Sequence, residues 1–153
     1  MFKISDGDLL PKPVMARNVG AVWLAKLFPG RVEAVKPLEN YVKIYDPQGC
    51  VMWATINKRD RVFRISHKIF LKEGFLDEYE LQIIVGLANK KSRYNRFVLV
   101  KGKNGYFIYA VSFMPLREKL YPTKILKSFE SHWIDFKRGF NSLHEYCLRA
   151  KIN

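Results

Sequence analysis

The sequence predicts a single α+β domain over residues 1–153, with an antiparallel sheet of about five strands and a long C-terminal helix. Three observations support this prediction. Two apolar runs at residues 96–100 and 106–113 flank a turn that ends in Asn-Gly, the strongest short-range signal of a hairpin. Three further strand-like runs precede the hairpin. Segments with helical periodicity lie before, between and after these strands, which gives the order α-β-β-β-α-β-β-α.

The N-terminal segment is predicted to form an irregular lead-in followed by a first helix. Residues 1–13 contain prolines, which disfavour helix immediately before them. Residues 14–28 then show helical periodicity that ends at Pro29-Gly30. The predicted buried face of this helix consists of apolar residues at spacings of three and four: Val19, Val22, Trp23 and Leu27.

Three strands are predicted next, at residues 41–45, 51–56 and 61–69. The first and the third alternate apolar with charged side chains, as half-buried strands do. The segment Asp46-Pro47-Gln48-Gly49 has the composition of a turn, and a second short polar segment separates the later pair. Connections this short join antiparallel neighbours, so we expect a meander.

The second helix is predicted over residues 77–89. Asp77 can cap its first turn, and Glu80 lies three residues later, as in a variant of the capping box. Its predicted buried stripe consists of Leu81, Ile84, Val85 and Ala88. The hairpin strands that follow are apolar at both parities, which predicts central strands covered on much of both faces.

The third helix, predicted over residues 123–149, is the most periodic segment of the chain. Its apolar seam has spacings of three and four and consists of Ile125, Phe129, Trp133, Phe136, Phe140, Leu143 and Cys147. A helix of this length exceeds what a small sheet needs for cover, so part of the seam could pair with a second copy or a partner helix. Gly139 interrupts the helix, which indicates a bend or close packing there.

The formal net charge of +13 favours anionic partners, namely nucleic acid, an acidic protein segment or a membrane surface. Residues 81–117 contain no acidic side chain, and their cations alternate with aromatic residues such as Tyr94, Phe97, Tyr106 and Tyr109. Such a pattern can stack bases and neutralise phosphates. Lysines at turn tips, with the aromatic rings in the core, would give the same pattern without any partner.

Catalytic signatures are weak. The Asp135-Phe136-Lys137 triplet falls in the predicted third helix, and no nucleophile elbow surrounds a serine or cysteine. The histidines show no metal-ligand spacing. Cys50 and Cys147 are distant in sequence, which favours two free thiols in a reducing cytoplasm. We therefore expect no enzyme activity, cofactor or metal, and the apolar runs are too short for a membrane span.

The order of elements resembles the YbjN-like and type III secretion chaperone-like fold. The match is best from residues 81–89, a helix ending in Asn, through the strands at 96–100 and 106–113. The resemblance implies a small cytoplasmic bacterial protein without catalytic residues, often homodimeric. The secretion chaperones of this class hold an extended segment of a client protein. They tend to be acidic, whereas this chain is basic, so it either does not bind a client in the manner of those chaperones or binds an acidic one.

These observations predict a non-enzymatic protein-binding module of the cytoplasm, chaperone-like or regulatory, that binds a protein client or a second copy of itself. The alternative is a nucleic-acid-binding protein that uses the basic and aromatic region at residues 90–103. The candidate contact residues are Arg61, Arg64, Lys90, Lys91, Arg93, Tyr94, Arg96, Lys101, Lys103 and Trp133.

Overall fold

The computed structural model describes residues 10–36, 38, 40–45 and 51–152. The elements in chain order are β1 (Val14–Met15), a 3-10 turn (Ala16–Asn18), α1 (Ala21–Lys26), β2 (Val32–Lys36), β3 (Tyr41–Tyr45), β4 (Val51–Asn57), β5 (Val62–Lys72), α2 (Glu78–Lys91), β6 (Arg96–Lys101), β7 (Gly105–Pro115), β8 (Lys119–Leu120) and α3 (Pro122–Ile152). The predicted α+β class, with its antiparallel sheet and long C-terminal helix, is confirmed.

The larger sheet has six strands in the order β2-β3-β4-β5-β7-β6, and β1 pairs with β8 in a separate two-stranded sheet. The meander predicted from β3 to β5 is confirmed, since each strand pairs antiparallel with the next. The sequence did not predict β2 as a separate strand. A register shift between Val32 and Ala34 interrupts β2, so the alternation that marks a strand is lost there.

The first helix is shorter than predicted. A short strand and the 3-10 turn occupy its expected first half, and α1 begins only at Ala21. Val19 and Leu27 are buried as predicted, but Val22 is 52% exposed, so that part of the predicted face is wrong. In a helix of six residues, the buried side is formed by Ala21 and Leu24 instead.

The chain divides into two compact units. The first unit comprises residues 1–66 and 113–131, and the second comprises residues 67–112 and 132–153. The single domain expected from the sequence stays a prediction. In the first unit, the Phe129 ring lies 5.3 Å from that of Phe28 and 5.8 Å from that of Phe63, measured between centroids. These three buried rings form the centre of its core.

The second unit contains α2 and the hairpin. The predicted capping box is confirmed, because Asp77 accepts a hydrogen bond from the Glu80 N–H and the Glu80 carboxylate accepts one from the Asp77 N–H. The predicted stripe is also confirmed, and all four of its members are buried: Leu81, Ile84, Val85 and Ala88.

The seam of α3 is core. Phe129, Phe136, Leu143 and Cys147 are buried, and Trp133 is only 2% exposed. The close packing expected at Gly139 is confirmed, because a Cβ there would overlap the ring of Phe97. The seam therefore offers no free surface at these positions for a second copy or a partner helix.

The hairpin is present as predicted, but its expected burial is wrong for one strand. β6 lies at an edge of the sheet, and Val98 and Val100 are 43% and 42% exposed. Gly105 has a φ of 152°, and a Cβ there would overlap the carbonyl oxygen of Leu71, so the Asn-Gly turn requires glycine at this point.

Cys147 is a buried free thiol, as expected, whereas Cys50 lies outside the described residues. Burial raises the pKa of the Cys147 thiol above its usual value. Within the described ranges, no helix combines the length and the apolar character that crossing a bilayer requires.

Candidate binding face

The side of the hairpin that faces away from the core of the second unit is open to solvent. In the β6–β7 ladder, Val98 lies opposite Tyr109 and Val100 lies opposite Phe107. Residues directly opposite each other in a ladder project to the same side of the sheet. We call this side the open face, and its members are Lys68, Phe70, Arg96, Val98, Val100, Phe107, Tyr109 and Val111.

β5 contributes a lysine and a phenylalanine to the open face. The Lys68 ammonium lies 4.2 Å from the ring centroid of Phe107 and 5.8 Å from that of Tyr109. The Phe70 ring, which is 52% exposed, lies 5.2 Å from the Phe107 ring. The face therefore combines a short row of aromatic rings with a cation held over two of them.

No member of the open face is acidic. Arg96 lies at one end of β6, and the apolar side chains of Val98 and Val100 follow it on the same side of the strand. The face is thus apolar along β6 and positive at Lys68 and Arg96.

The outer edge of β6 is partly closed by a side chain. The Asn89 amide donates to the carbonyl oxygen of Phe97 at 2.9 Å and accepts from the Phe97 N–H at 2.7 Å. Since ladder hydrogen bonds alternate along an antiparallel strand, Leu99 and Lys101 are the next residues whose backbone groups point away from β7. A ligand that pairs with the whole of this edge would have to displace Asn89.

The loop between α2 and β6 is fixed by Asp135, which is buried. Its carboxylate accepts hydrogen bonds from the backbone N–H groups of Arg93, Tyr94 and Asn95 at 2.6–2.9 Å, and from the Ser92 hydroxyl at 2.8 Å. Burial opposes its ionisation, but the hydrogen bonds from Arg93, Asn95 and Tyr94 outweigh it and lower the Asp135 pKa to about 2. Asp135 is therefore a structural anchor for the start of β6.

The structure separates the predicted contact residues into several places. Lys90, Lys91, Arg93 and Tyr94 are exposed at the end of α2 and in the following loop, where the Tyr94 ring stacks on His132. Arg96 alone of the candidates belongs to the open face. Lys101 and Lys103 are exposed around the hairpin turn, and Arg61 and Arg64 are exposed in the first unit. Trp133 is buried in the core and presents no ring to a partner.

Several residues of the open face were not among the predicted contact residues: Lys68, Phe70, Val98, Val100, Phe107, Tyr109 and Val111. The sequence signal that could have identified them is the alternation of side chains between the two sides of a strand. Once the Asn-Gly turn fixes the register of the hairpin, Phe107 and Tyr109 fall on one side with Val98 and Val100. Phe97 falls on the other side and is buried, so it cannot stack a base.

His67, the buried neighbour of Lys68 on β5, packs against an aromatic ring of α3. The His67 ring stacks on that of Phe136, with centroids 3.7 Å apart and planes 5° apart. Burial lowers the His67 pKa to about 3. In the part of the chain that the structure describes, no three His, Cys, Asp or Glu residues are grouped to hold a metal ion.

Neither a family model nor a curated protein sequence matches the chain. The chain is similar to the crystal structure of YbjN from E. coli, a candidate transcription regulator, with a TM-score of 0.46 and 10% sequence identity. The match covers 73% of this chain and 76% of that chain. The likeness is one of arrangement, as the resemblance in the sequence predicted, and no functional residue is transferred from it.

Proposed function

We propose that the protein is a non-enzymatic binding protein of the cytoplasm, and that its open face holds an extended segment of a partner protein. The segment would carry apolar and acidic side chains. This proposal joins the protein-binding role expected from the sequence to one surface of the second unit.

The observation that supports the proposal most is the exposure of Val98 and Val100 on adjacent outward positions of one strand. Covering two such half-exposed valines contributes about 1 kcal/mol each. Aliphatic side chains give bases nothing to stack on, whereas they pack well against leucine or phenylalanine. This favours a protein segment over nucleic acid along β6.

Charge complementarity supports the proposal that the bound segment carries acidic side chains. Lys68 and Arg96 are the charged members of the open face. Carboxylates placed beside them would speed association and select against basic segments. Because Asn89 occupies the Phe97 end of the β6 edge, the segment would bind mainly through side chains on the face.

A short synthetic peptide of the pattern Glu-Ser-Leu-Ser-Leu tests the proposal by fluorescence anisotropy, because its glutamate and leucines project to the same side, as Arg96, Val98 and Val100 do on β6. We expect it to bind, and we expect the V98T/V100T double variant to weaken binding about tenfold, equivalent to about 1.4 kcal/mol. Ile83→Thr is the matched control, because Ile83 is an exposed aliphatic residue of the same unit on α2. A peptide with lysine in place of glutamate should not bind.

Equal binding of the acidic and basic peptides, or equal weakening by the control variant, would contradict the proposal.

Light scattering tests the homodimer that the resemblance implies. We expect any dimer to leave the open face free, since two copies of a basic face repel each other.

A second candidate function is binding of single-stranded nucleic acid, and one observation favours it. The Lys68 ammonium lies over Phe107 and Tyr109, beside the exposed Phe70 ring. Bases stacked on such rings contribute about 1–3 kcal/mol each. This function predicts that Phe107→Leu weakens binding of a labelled oligonucleotide far more than V98T/V100T does, and that affinity falls steeply with salt.

A further inference from the structure

The first unit contains a cavity of about 420 Å³ that is independent of the open face. It lies between the end of β7, the short strand β8 and the first two turns of α3. This volume is within the range of about 300–1,000 Å³ that is typical of small-molecule sites. None of the residues of the open face lines it.

The cavity has an apolar wall and a cationic rim. Met114, Leu120 and Ile125 line it and are themselves buried. Three exposed cations also line it: Arg117, Lys119 and Lys124. None of the described residues that line it is an aspartate or a glutamate.

Two of these cations converge on one ring. The ammonium groups of Lys119 and Lys124 lie 5.5 Å and 5.2 Å from the centroid of Tyr121, which also lines the cavity. Among the described residues, neither lysine forms an ion pair with a carboxylate. The Tyr121 ring attracts both ammonium groups, and an anion bound between them would offset their mutual repulsion.

The walls that carry these cations are fixed by backbone pairing. Lys119 lies opposite Met15 in the β1–β8 ladder, and the Ala16 N–H donates to the Glu118 carbonyl oxygen at 2.8 Å. Lys124 lies on the first turn of α3. Lys119 and Lys124 are therefore mounted on regular elements, whereas Arg117 lies in the short connection between β7 and β8.

We propose that this cavity binds a small organic phosphate, a phosphate monoester with a compact apolar body. Arg117, Lys119 and Lys124 bind the phosphate, whose negative charge is about −1.5 to −2 at neutral pH. The Arg117 guanidinium can bind two phosphate oxygens at once, and the lysines act as point charges. Met114, Leu120 and Ile125 pack against the apolar body.

Isothermal titration calorimetry with phenyl phosphate, inorganic phosphate and phenol tests this proposal. We expect phenyl phosphate to bind about tenfold more tightly than either fragment, because only it uses both the rim and the wall.

The double variant K119M/K124M should weaken phenyl phosphate binding at least about tenfold. Lys127→Met is the matched control, because Lys127 is an exposed lysine of the same helix that does not line the cavity. Circular dichroism checks that both variants fold. Absence of phenyl phosphate binding, equal affinity for inorganic phosphate, or equal loss in K127M would each overturn the proposal. Peptide binding on the open face should be unchanged in K119M/K124M, so the two proposals fail separately.

Discussion

The two sides of the β6–β7 hairpin have similar apolar composition and opposite environments. Phe97, Ile108 and Ala110 project inward and are almost completely buried. Val98 and Val100 alternate with the inward residues of β6 and are more than two-fifths exposed. Hydrophobicity alone therefore does not tell which side of such a strand is core. The inward side is distinguished by what packs on it, the C-terminal part of α3.

The largest expected difference between the two sides is in stability. Phe97→Ala should lower the free energy of unfolding by about 3–5 kcal/mol, because it leaves a cavity beneath Phe136 and Gly139. The neighbouring Val98→Ala should change it by no more than about 0.5 kcal/mol. Urea denaturation followed by circular dichroism measures both. Similar losses in the two variants would mean that the open face is covered in solution.

A somewhat smaller loss of stability is expected when Asp135, which anchors the start of β6, is replaced. Asp135→Ala leaves the N–H groups of Arg93, Tyr94 and Asn95 without their acceptor, which should cost about 3 kcal/mol. Glu130→Ala, an acidic residue of the same helix, is the control and should have little effect. The native carboxylate has a pKa of about 2, below its usual value, so its contribution is complete above about pH 4 and is lost as pH falls towards 2.

The smallest expected effect per pH unit concerns His67, whose neighbour Lys68 lies on the other side of β5. His67 is buried and Lys68 is on the open face. As pH falls below 6.5, the unfolded chain takes up a proton at His67, whereas the folded chain does so only near pH 3. The free energy of unfolding should therefore fall by about 1.4 kcal/mol per pH unit in this window.

Replacement of the buried His67 ring tests whether this residue causes the pH dependence. His67→Phe keeps the stacking on Phe136 and should make the pH dependence shallower by about one proton. Denaturation curves at several pH values measure the slope. The same slope in H67F as in the native chain would show that other groups, such as His132, whose pKa burial also lowers, account for it.

Local signals in the sequence predicted much of the fold. The Asn-Gly turn, the Asp77 capping box and the α3 seam each depend on residues within a few positions of one another, so they are visible without tertiary structure. The burial of each side of β6 depends on α3, which is distant in sequence. The role of Asp135 depends on backbone groups about forty residues away, and the bulge in β2 removed its alternation.

The candidate site was less predictable for the same reason. The sequence shows how many cations and aromatic residues lie in residues 81–117, but it does not show which of them share a surface. Tyr109 and Arg96 lie on the open face, whereas Phe97 is buried in the core. Trp133 is buried as part of the α3 seam. The lysine closest to the aromatic row, Lys68, comes from a strand outside that segment.

The Asn89 amide at the start of β6 has a consequence for how copies of this chain meet. By mimicking the backbone of a neighbouring strand, it prevents intermolecular sheet growth from beginning at Phe97. An outermost strand with exposed valines would otherwise be a starting point for fibrillar aggregation. Asn89 thus leaves only the Leu99–Lys101 part of this edge open to pairing with a strand of another copy.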